Sequence, residues 1–581
     1  MRLFALLEKS SLKLCKSILL GVPFLALAAL FLVAWNGCGR ATSAQPPVAE
    51  VTNVTGTAAP KAGGGLFSDV TDAAGLHYQW QIAGKRPLNI LQTIGNGCAF
   101  LDYDNDGFLD ILLVGPKLAL YKGDGKGHFA DVTAAVGLEK FSGHFLGCAV
   151  GDYDNDGYDD VYITAYRGGL LLHNEHGKGF RDVSQQAGIP PQRWGTSASF
   201  ADVDGDGRLD LYICNYVQFG PKTDPQLCNY SGHMSSCGPR FYQPEKGVLY
   251  HNEGGGRFRD VTQLGNAGGK NVSGKGLGVA IADFEGNGRQ GIAIANDEVA
   301  GDLLQNLGGK FKNIGATSGT AYDNAGNVHG GMGIDWGDYN NDGKLDLAVA
   351  TFQHEPKCIY RNEGGGFFTE SSAELALADR TGPYVAFGCK FLDYDNDGWL
   401  DLAIANGHVQ DNIADIDKSA AYKQAAQLFH NVGGKSYEDV SAQAGSGFQK
   451  PIVGRGLAIG DYDNDGRVDI LLVDSEGTPI LLHNETPNAG HWLSCKLVGT
   501  KSNRDGIGAL LTVEAGGQKL YRRCATDGSY MSASDRRVHL GLGSATSATI
   551  TVRWPSGTTT TYKNVRADRV ITLQEGASEL R

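Results

Sequence analysis

Through most of this chain, short apolar runs alternate with tight clusters of Asp, Asn and Gly, and the alternation has a long period. A small apolar stretch comes first, as in Cys98-Ala99-Phe100-Leu101, Cys148-Ala149-Val150-Gly151, Val279-Ala280-Ile281-Ala282 and Leu457-Ala458-Ile459-Gly460. An acidic cluster follows, then a second apolar run such as Leu109-Asp110-Ile111-Leu112-Leu113-Val114. A third run ends in Asn, at His173-Asn174, His251-Asn252, Gln305-Asn306, Arg361-Asn362, His430-Asn431 and His483-Asn484. A Gly-rich turn leads to an aromatic backed by Asp-Val, as in Phe129-Ala130-Asp131-Val132 and Tyr437-Glu438-Asp439-Val440. Runs this short, bounded by turn residues, predict strands. Four strands in about 50 residues predict one propeller blade. Seven such units predict an all-β, seven-bladed β-propeller over residues 66–487.

The acidic clusters are nearly identical nine-residue loops beginning at Asp102, Asp152, Asp202, Asp283, Asp338, Asp393 and Asp461. Positions 1, 3, 5 and 9 carry side-chain oxygens and position 6 is Gly. The ligand sets read Asp102, Asp104, Asp106 and Asp110; Asp152, Asp154, Asp156 and Asp160; Asp202, Asp204, Asp206 and Asp210. They continue as Asp338, Asn340, Asp342 and Asp346; Asp393, Asp395, Asp397 and Asp401; Asp461, Asp463, Asp465 and Asp469. Hard cations such as Ca2+ take six to eight oxygens, and alternate residues of a tight turn can aim several carboxylates at one centre. Packed without a cation, such carboxylates repel. An EF-hand would place Glu at position 12. Here that position is Leu113, Ile163, Ile213, Ile294, Val349, Ile404 or Leu472, so each loop runs into a buried strand. The fourth loop offers Asp283, Glu285 and Asn287 but has Gly291 at position 9. Six Ca2+ sites and one weak or empty site are expected.

These loops, with the Asn-x-Gly-Gly and Phe-x-Asp-Val segments, resemble the FG-GAP/VCBS repeats of integrin-type propellers. Further on, Asn503-Arg504-Asp505-Gly506-Ile507-Gly508-Ala509, Ser529-Tyr530-Met531-Ser532, His539-Leu540-Gly541-Leu542-Gly543 and Arg553-Trp554-Pro555-Ser556-Gly557 resemble the ASPIC/UnbV domain. The combination is similar to the cartilage acidic protein family and its bacterial relatives. The resemblance implies calcium binding and extracytoplasmic interaction, with no defined activity for most members. Residues 488–581 read as β and are expected to form a small sandwich-like domain packed on the propeller.

The net charge is −13. Six divalent ions would offset nearly all of it, so the charge gives no long-range steering and no nucleic-acid signature. Arg2, Lys9, Lys13 and Lys16 precede an apolar run from Ile18 to Trp35, which reads as an export signal or membrane anchor over residues 1–37. Lipoprotein processing at Cys38, cleavage after Ala44 and an uncleaved anchor remain open. All three place the body outside the cytoplasm, as a periplasmic, cell-surface or secreted protein, behind a disordered linker over 38–65.

Of 11 cysteines, Cys98, Cys148 and Cys389 each lie four residues before a loop, where other units have Ala198, Val279, Ile334 and Leu457. They read as core residues. Cys228 and Cys237, in an insertion over 218–246, are the expected disulfide, and Cys495 with Cys524 is a second candidate pair. His173, His251, His430 and His483 recur at one position per unit, giving a ring of structural or surface residues. Three residues before each loop stand Ala99, Ala149, Ser199, Ala280, Asp335, Lys390 and Ala458. An axial ion pair between Asp335 and Lys390 is expected. No catalytic signature stands out. The expected function is a monomeric module binding a protein or glycan at the cell surface. The alternative is a lyase- or cyclase-type enzyme using the top face or central channel, since propellers host such chemistry. An apolar pocket with converging polar groups would favour the enzyme, and exposed patches on the insertion or on 407–427 would favour binding.

Overall fold

The computed structural model describes residues 65–577 together with Glu579 and Leu580. The export segment, Cys38 and most of the linker lie outside the described residues. The chain is all-β, with antiparallel pairing throughout the repeats. Each repeat supplies a four-stranded unit. The first comprises Cys98–Leu101, Asp110–Leu113, Ala119–Gly123 and Phe129–Asp131 in that order across the sheet. The second and third units join through pairing of Asp160–Gly168 with Gln192–Ala201, so seven four-stranded units form six sheets. The last unit takes its fourth strand from the start of the described chain, where Phe67–Asp69 pairs with Ile480–Asn484.

The first strand of every unit is innermost. Cys98–Leu101, Phe145–Gly151, Gln192–Ala201, Gly276–Ala282, Ile334–Gly337, Ala386–Leu392 and Gly454–Gly460 each pack on the next, and the last packs on the first. The arrangement is a closed, propeller-like ring. Their small residues suit a crowded axis. Between units lie apolar clusters, such as Leu392, Ala403, Leu428, Leu457, Ile470 and Leu482. Burial of that kind stabilises by about 25 cal/mol per Å2.

The C-terminal region builds two further sheets. Val538–Gly543, His491–Val498 and Arg569–Gln574 form one; Gln518–Arg523, Leu510–Ala515, Ser547–Arg553 and Thr559–Arg566 form the other. Leu493, Leu511, Val513, Ile550, Trp554 and Leu573 pack in one core between them. This is the sandwich-like arrangement expected.

Residues 525–535 leave this sandwich and run into the axis of the ring. They meet every inner strand. Cys98 N–H donates to Ser532 Oγ, Cys148 N–H to Met531 O, Ile281 N–H to Asp527 Oδ2, Ile334 N–H to Ser529 O and Ile459 N–H to Ser534 Oγ. Met531 N–H donates to Ser197 Oγ and Lys390 Nζ to Asp527 O. The approach demands glycine: a Cβ on Gly97 would lie 1.7 Å from Met531 O. Asp335 and Lys390 pair at 3.0 Å, as expected, and Arg523 adds a second cation to Asp335, also at 3.0 Å.

Cys98, Cys148 and Cys389 are buried free thiols, and Cys228 is bonded to Cys237 with Cα atoms 5.0 Å apart. The Cys495–Cys524 expectation is corrected: both are free thiols in the sandwich core.

Candidate metal centres and the axial recess

All seven acidic loops have one backbone conformation. The position-6 glycines, Gly107, Gly157, Gly207, Gly288, Gly343, Gly398 and Gly466, lie at φ between +85° and +97°. Position 4 is also left-handed, with Asn105, Asn155, Asn341, Asn396 and Asn464 at φ +54° to +61° and Gly205 and Gly286 elsewhere. Only Gly, Asn and Asp visit this region readily, so position 4 is part of the motif although it bears no ligand oxygen.

The loop's own amides hold position 1, and position 9 is held by one loop amide and one from the end of the third strand. Asp338 illustrates position 1: Oδ1 accepts from Asp342 N–H at 3.1 Å and Oδ2 from Gly343 N–H at 2.9 Å. At position 9, Asp401 Oδ2 accepts from Tyr394 N–H at 3.1 Å and Oδ1 from Asn431 N–H at 2.8 Å. Position 3 is different. Asp104 Oδ1, Asp395 Oδ1 and Asp463 Oδ1 are buried without a hydrogen-bond partner, as is Asp102 Oδ1 at position 1. The first loop brings oxygens of Asp102, Asp104 and Asp110 within 4.8 Å of one another. Orphaned, converging carboxylate oxygens are what a hard cation needs, and the loops fit one.

Burial and like-charge neighbours push these carboxyls up. Asp110 is raised to about 8 by burial, and Asp461 to about 8 by burial and then by Asp469. Asp469 and Asp401 rise to about 7 for the same first reason.

The recurring histidines do more than ring the surface. His173 Nδ1 lies 3.4 Å from Asp154 and 3.3 Å from Asp160. His251 faces Asp204 and Asp210 at 3.2 and 3.1 Å, His430 faces Asp395 and Asp401 at 3.5 and 3.2 Å, and His483 faces Asp463 and Asp469 at 3.8 and 3.2 Å. Each imidazole sits at positions 3 and 9 of its own loop, where the third strand ends. Lys122 fills the place in the first unit and bonds Asp104. The carboxylates raise His430 and His483 to about 9.

The fourth loop departs as its sequence indicates. Phe284 fills the space beside Gly291, where a Cβ would meet its ring at 2.4 Å. Arg553 of the C-terminal sandwich reaches Asp283 Oδ2 at 2.5 Å. A guanidinium thus compensates this carboxylate.

Two sets of asparagines tie the loops together. Asn105 Nδ2 donates to Gly157 O, Asn155 to Gly207 O, Asn341 to Gly398 O, Asn396 to Gly466 O and Asn464 to Gly107 O. Position 4 of one loop therefore holds position 6 of the next. The strand-end asparagines reach back: Asn174 Nδ2 donates to Tyr103 O and Asn484 to Tyr394 O.

At the opposite end of the strands is a recess of about 270 Å3. Ile94, Leu277, Met332 and Phe387, at the starts of inner strands, line it together with Tyr216, Asp297, Glu298, Phe352 and Glu355. The insertion and the 407–427 segment meet over it. Asn412 Nδ2 donates to Met234 O and Ser235 Oγ to Asn412 Oδ1. Tyr530, at the tip of the axial segment, donates to Ile94 O and packs on Phe387. This recess was not legible in the sequence, because its walls are gathered from many short segments between Ile90 and Gln410.

Residues 499–580 match the ASPIC and UnbV family, and residues 102–163, 152–213 and 338–404 match the FG-GAP-like repeat. The chain carries FG-GAP-like repeats and a C-terminal ASPIC/UnbV domain. It is 23% identical over 499 residues to cartilage acidic protein 1 of Xenopus tropicalis, covering 79% of this chain and 70% of the relative. The mouse protein of that name is 23% identical over 390 residues, covering 65% of this chain. The chain spans 54% of the mouse relative and 52% of the human one. Among solved structures, an Agrocybe aegerita lectin is 15% identical with a TM-score of 0.39, covering 67% of this chain and 95% of its own. A Bacillus licheniformis rhamnogalacturonan lyase is 13% identical with a TM-score of 0.33, covering 66% and 71%. These scores are too low to support a functional comparison. Among the described residues, no helix is long and apolar enough to cross a membrane.

Proposed function

We propose that this protein is an extracytoplasmic binding module: a propeller whose six complete FG-GAP-like loops take Ca2+ and whose far face receives a protein or glycan ligand at the cell surface. The observation that carries the reading is the polarity of the ring. One end of the axis is filled by residues 525–535 and covered by the sandwich, while the other opens into the recess under the disulfide-bonded insertion. Recognition chemistry belongs on the open end.

The donor set supports Ca2+. All ligand atoms at positions 1, 3, 5 and 9 are oxygens, and Mg2+ prefers to keep its waters. Asp102, Asp104, Asp106 and Asp110, with their counterparts in the other complete loops, would hold the ion. Its charge would neutralise carboxylates that the fold has already desolvated. The loops themselves orient these groups, hold neighbouring units in register through Asn464 and its equivalents, and keep the inner strands tight on the axial segment.

Catalysis is the second reading. The converging carboxylates of Asp297 and Glu355 over an apolar floor favour it, and they place any chemistry in the recess, since the channel itself is filled. Crosslinked capture from intact cells, with and without chelator and with circular dichroism run in parallel, tests the binding reading. Loss of one specific partner on chelation, with the fold retained, supports it; capture of nothing above a denatured control overturns it.

A further inference from the structure

We propose that the recess binds an organic cation, an ammonium or guanidinium group carried on an apolar stem. The inference rests on the binding reading above and gives it a ligand chemistry.

Three carboxylates meet in the recess. Tyr216 Oη donates to Asp297 Oδ2, which leaves Oδ1 turned toward Gly330. Glu355 Oε2 accepts from Gly330 N–H and Phe352 N–H, each at 3.0 Å. A Cβ on Gly330 would lie 3.1 Å from Asp297 Oδ1 and 3.8 Å from Glu355 Oε2, so both oxygens look onto one small volume that the missing side chain leaves open. Glu298 stands beside them at the mouth, near Gly238 of the insertion. Like charges brought together this way repel, so a proton or a cation must relieve them; burial, with Glu298 and Glu355 adding to it, raises Asp297 to about 7.

No resident cation pairs with them directly: buried Lys275 offsets part of the charge of Asp297 and Glu298, and Lys357 part of that of Glu355, each without forming an ion pair. Among the described residues Asp297 and Glu298 make no ion pair, and Glu355 has only His329, at 3.8 Å. His329 is 7% exposed, and neither ring nitrogen has a hydrogen-bond partner. Arg240, the one basic side chain in the lining, lies over the ring of Phe241 on the exposed rim. Arg455 stacks behind Phe387 at 3.8 Å, and the carbonyls of Thr93, Gly407, Gly454 and His408 take up its donors.

The rest of the lining selects the kind of cation. A bare metal ion needs a shell of oxygens, whereas the floor is Ile94, Leu277, Met332 and Phe387. A neutral sugar would leave the carboxylates uncompensated. An ammonium on an alkyl stem satisfies both ends: the stem covers the floor, and the head meets carboxylates beside Tyr216 and Phe352, whose ring faces attract cations.

Titration calorimetry on the full, Ca2+-supplied protein tests this with pentylamine, its neutral analogue pentanol, cadaverine and an acetylated lysine-containing peptide. Saturable pentylamine binding at least tenfold tighter than pentanol is expected. Glu298→Gln, whose side chain makes no hydrogen bond among the described residues, should weaken it at least threefold without moving the melting temperature. Asp297→Asn should weaken it further, with circular dichroism reporting any loss of fold. Whichever of cadaverine and the peptide binds more tightly identifies the source of the cation. Pentylamine binding no tighter than pentanol, or unchanged by Glu298→Gln, overturns the proposal. Cellular capture retained in that case would leave the binding reading intact.

Discussion

Asn464 in the seventh acidic loop donates its side-chain amide to the carbonyl of Gly107 in the first, 3.2 Å away, and so joins the last repeat to the first. The same link recurs from loop to next loop except where Gly205 and Gly286 replace the asparagine. Asn464→Gly keeps the left-handed backbone and removes only the amide. It should cost about 1 kcal/mol, read as a lower urea midpoint. Gly205→Asn, at a position with open space around its Cβ, should raise the midpoint. A midpoint unchanged in both variants would show the amide chain to be incidental.

Stability without metal should fall as pH rises. Asp110 and Asp461 titrate near 8 in the fold, against about 3.9 when unfolded. Between those values the folded state binds more protons than the unfolded one, so deprotonation removes stability across this window. Chelated protein should melt at lower temperature at pH 8 than at pH 5. Saturating Ca2+ should abolish or reverse that slope, because it stabilises the ionised form. Thermal melts at both pH values, with and without chelator, check it.

Metal counting by atomic emission should give about six Ca2+ per chain. Arg553→Met should leave that number unchanged, because Gly291 and Phe284 deny the fourth loop its last oxygen. The variant should still lose about 1–3 kcal/mol, the cost of stranding the buried Asp283 carboxylate. A gain of one ion would mean that Arg553 alone keeps the metal out.

Asp335 lies between Lys390 and Arg523 on the axis. Asp335→Ala leaves buried Lys390 without a carboxylate partner, while Arg523 keeps Asp527, and should cost about 3–5 kcal/mol. Lys390→Ala leaves Asp335 paired with Arg523 and should cost less. Equal losses in chemical denaturation would place the pair's role in packing rather than charge.

Much of the repeat architecture was legible because the acidic loops and their left-handed turns recur nearly unchanged along the chain. The repeated Asp and Gly of Asp102-Tyr103-Asp104-Asn105-Asp106-Gly107 locate each loop, and the loops locate the inner strands. Aligning seven copies even isolated Asp335 and Lys390. Position 4 carried a signal too, Asn or Gly without exception, but its meaning required the backbone angle. The axial segment was not legible: Ser529-Tyr530-Met531-Ser532 has no periodicity, and its partner Cys98 lies 434 residues away. Nor was the strand Phe67–Asp69 assigned to the last unit, or the recess, whose carboxylates stand in unrelated segments. The histidines were read as a ring because the turn that brings each onto its own loop is tertiary.

The path of residues 525–535 also fixes a timetable. The ring is sealed by pairing Phe67–Asp69 with Ile480–Asn484, and the axis is filled by a segment made later still. Every inner strand therefore waits for residues synthesised after the whole ring. Contacts this distant in sequence form slowly and leave edges exposed meanwhile. A fold completed by so late a contact keeps its inner strands without their axial partners until residues 525–535 arrive.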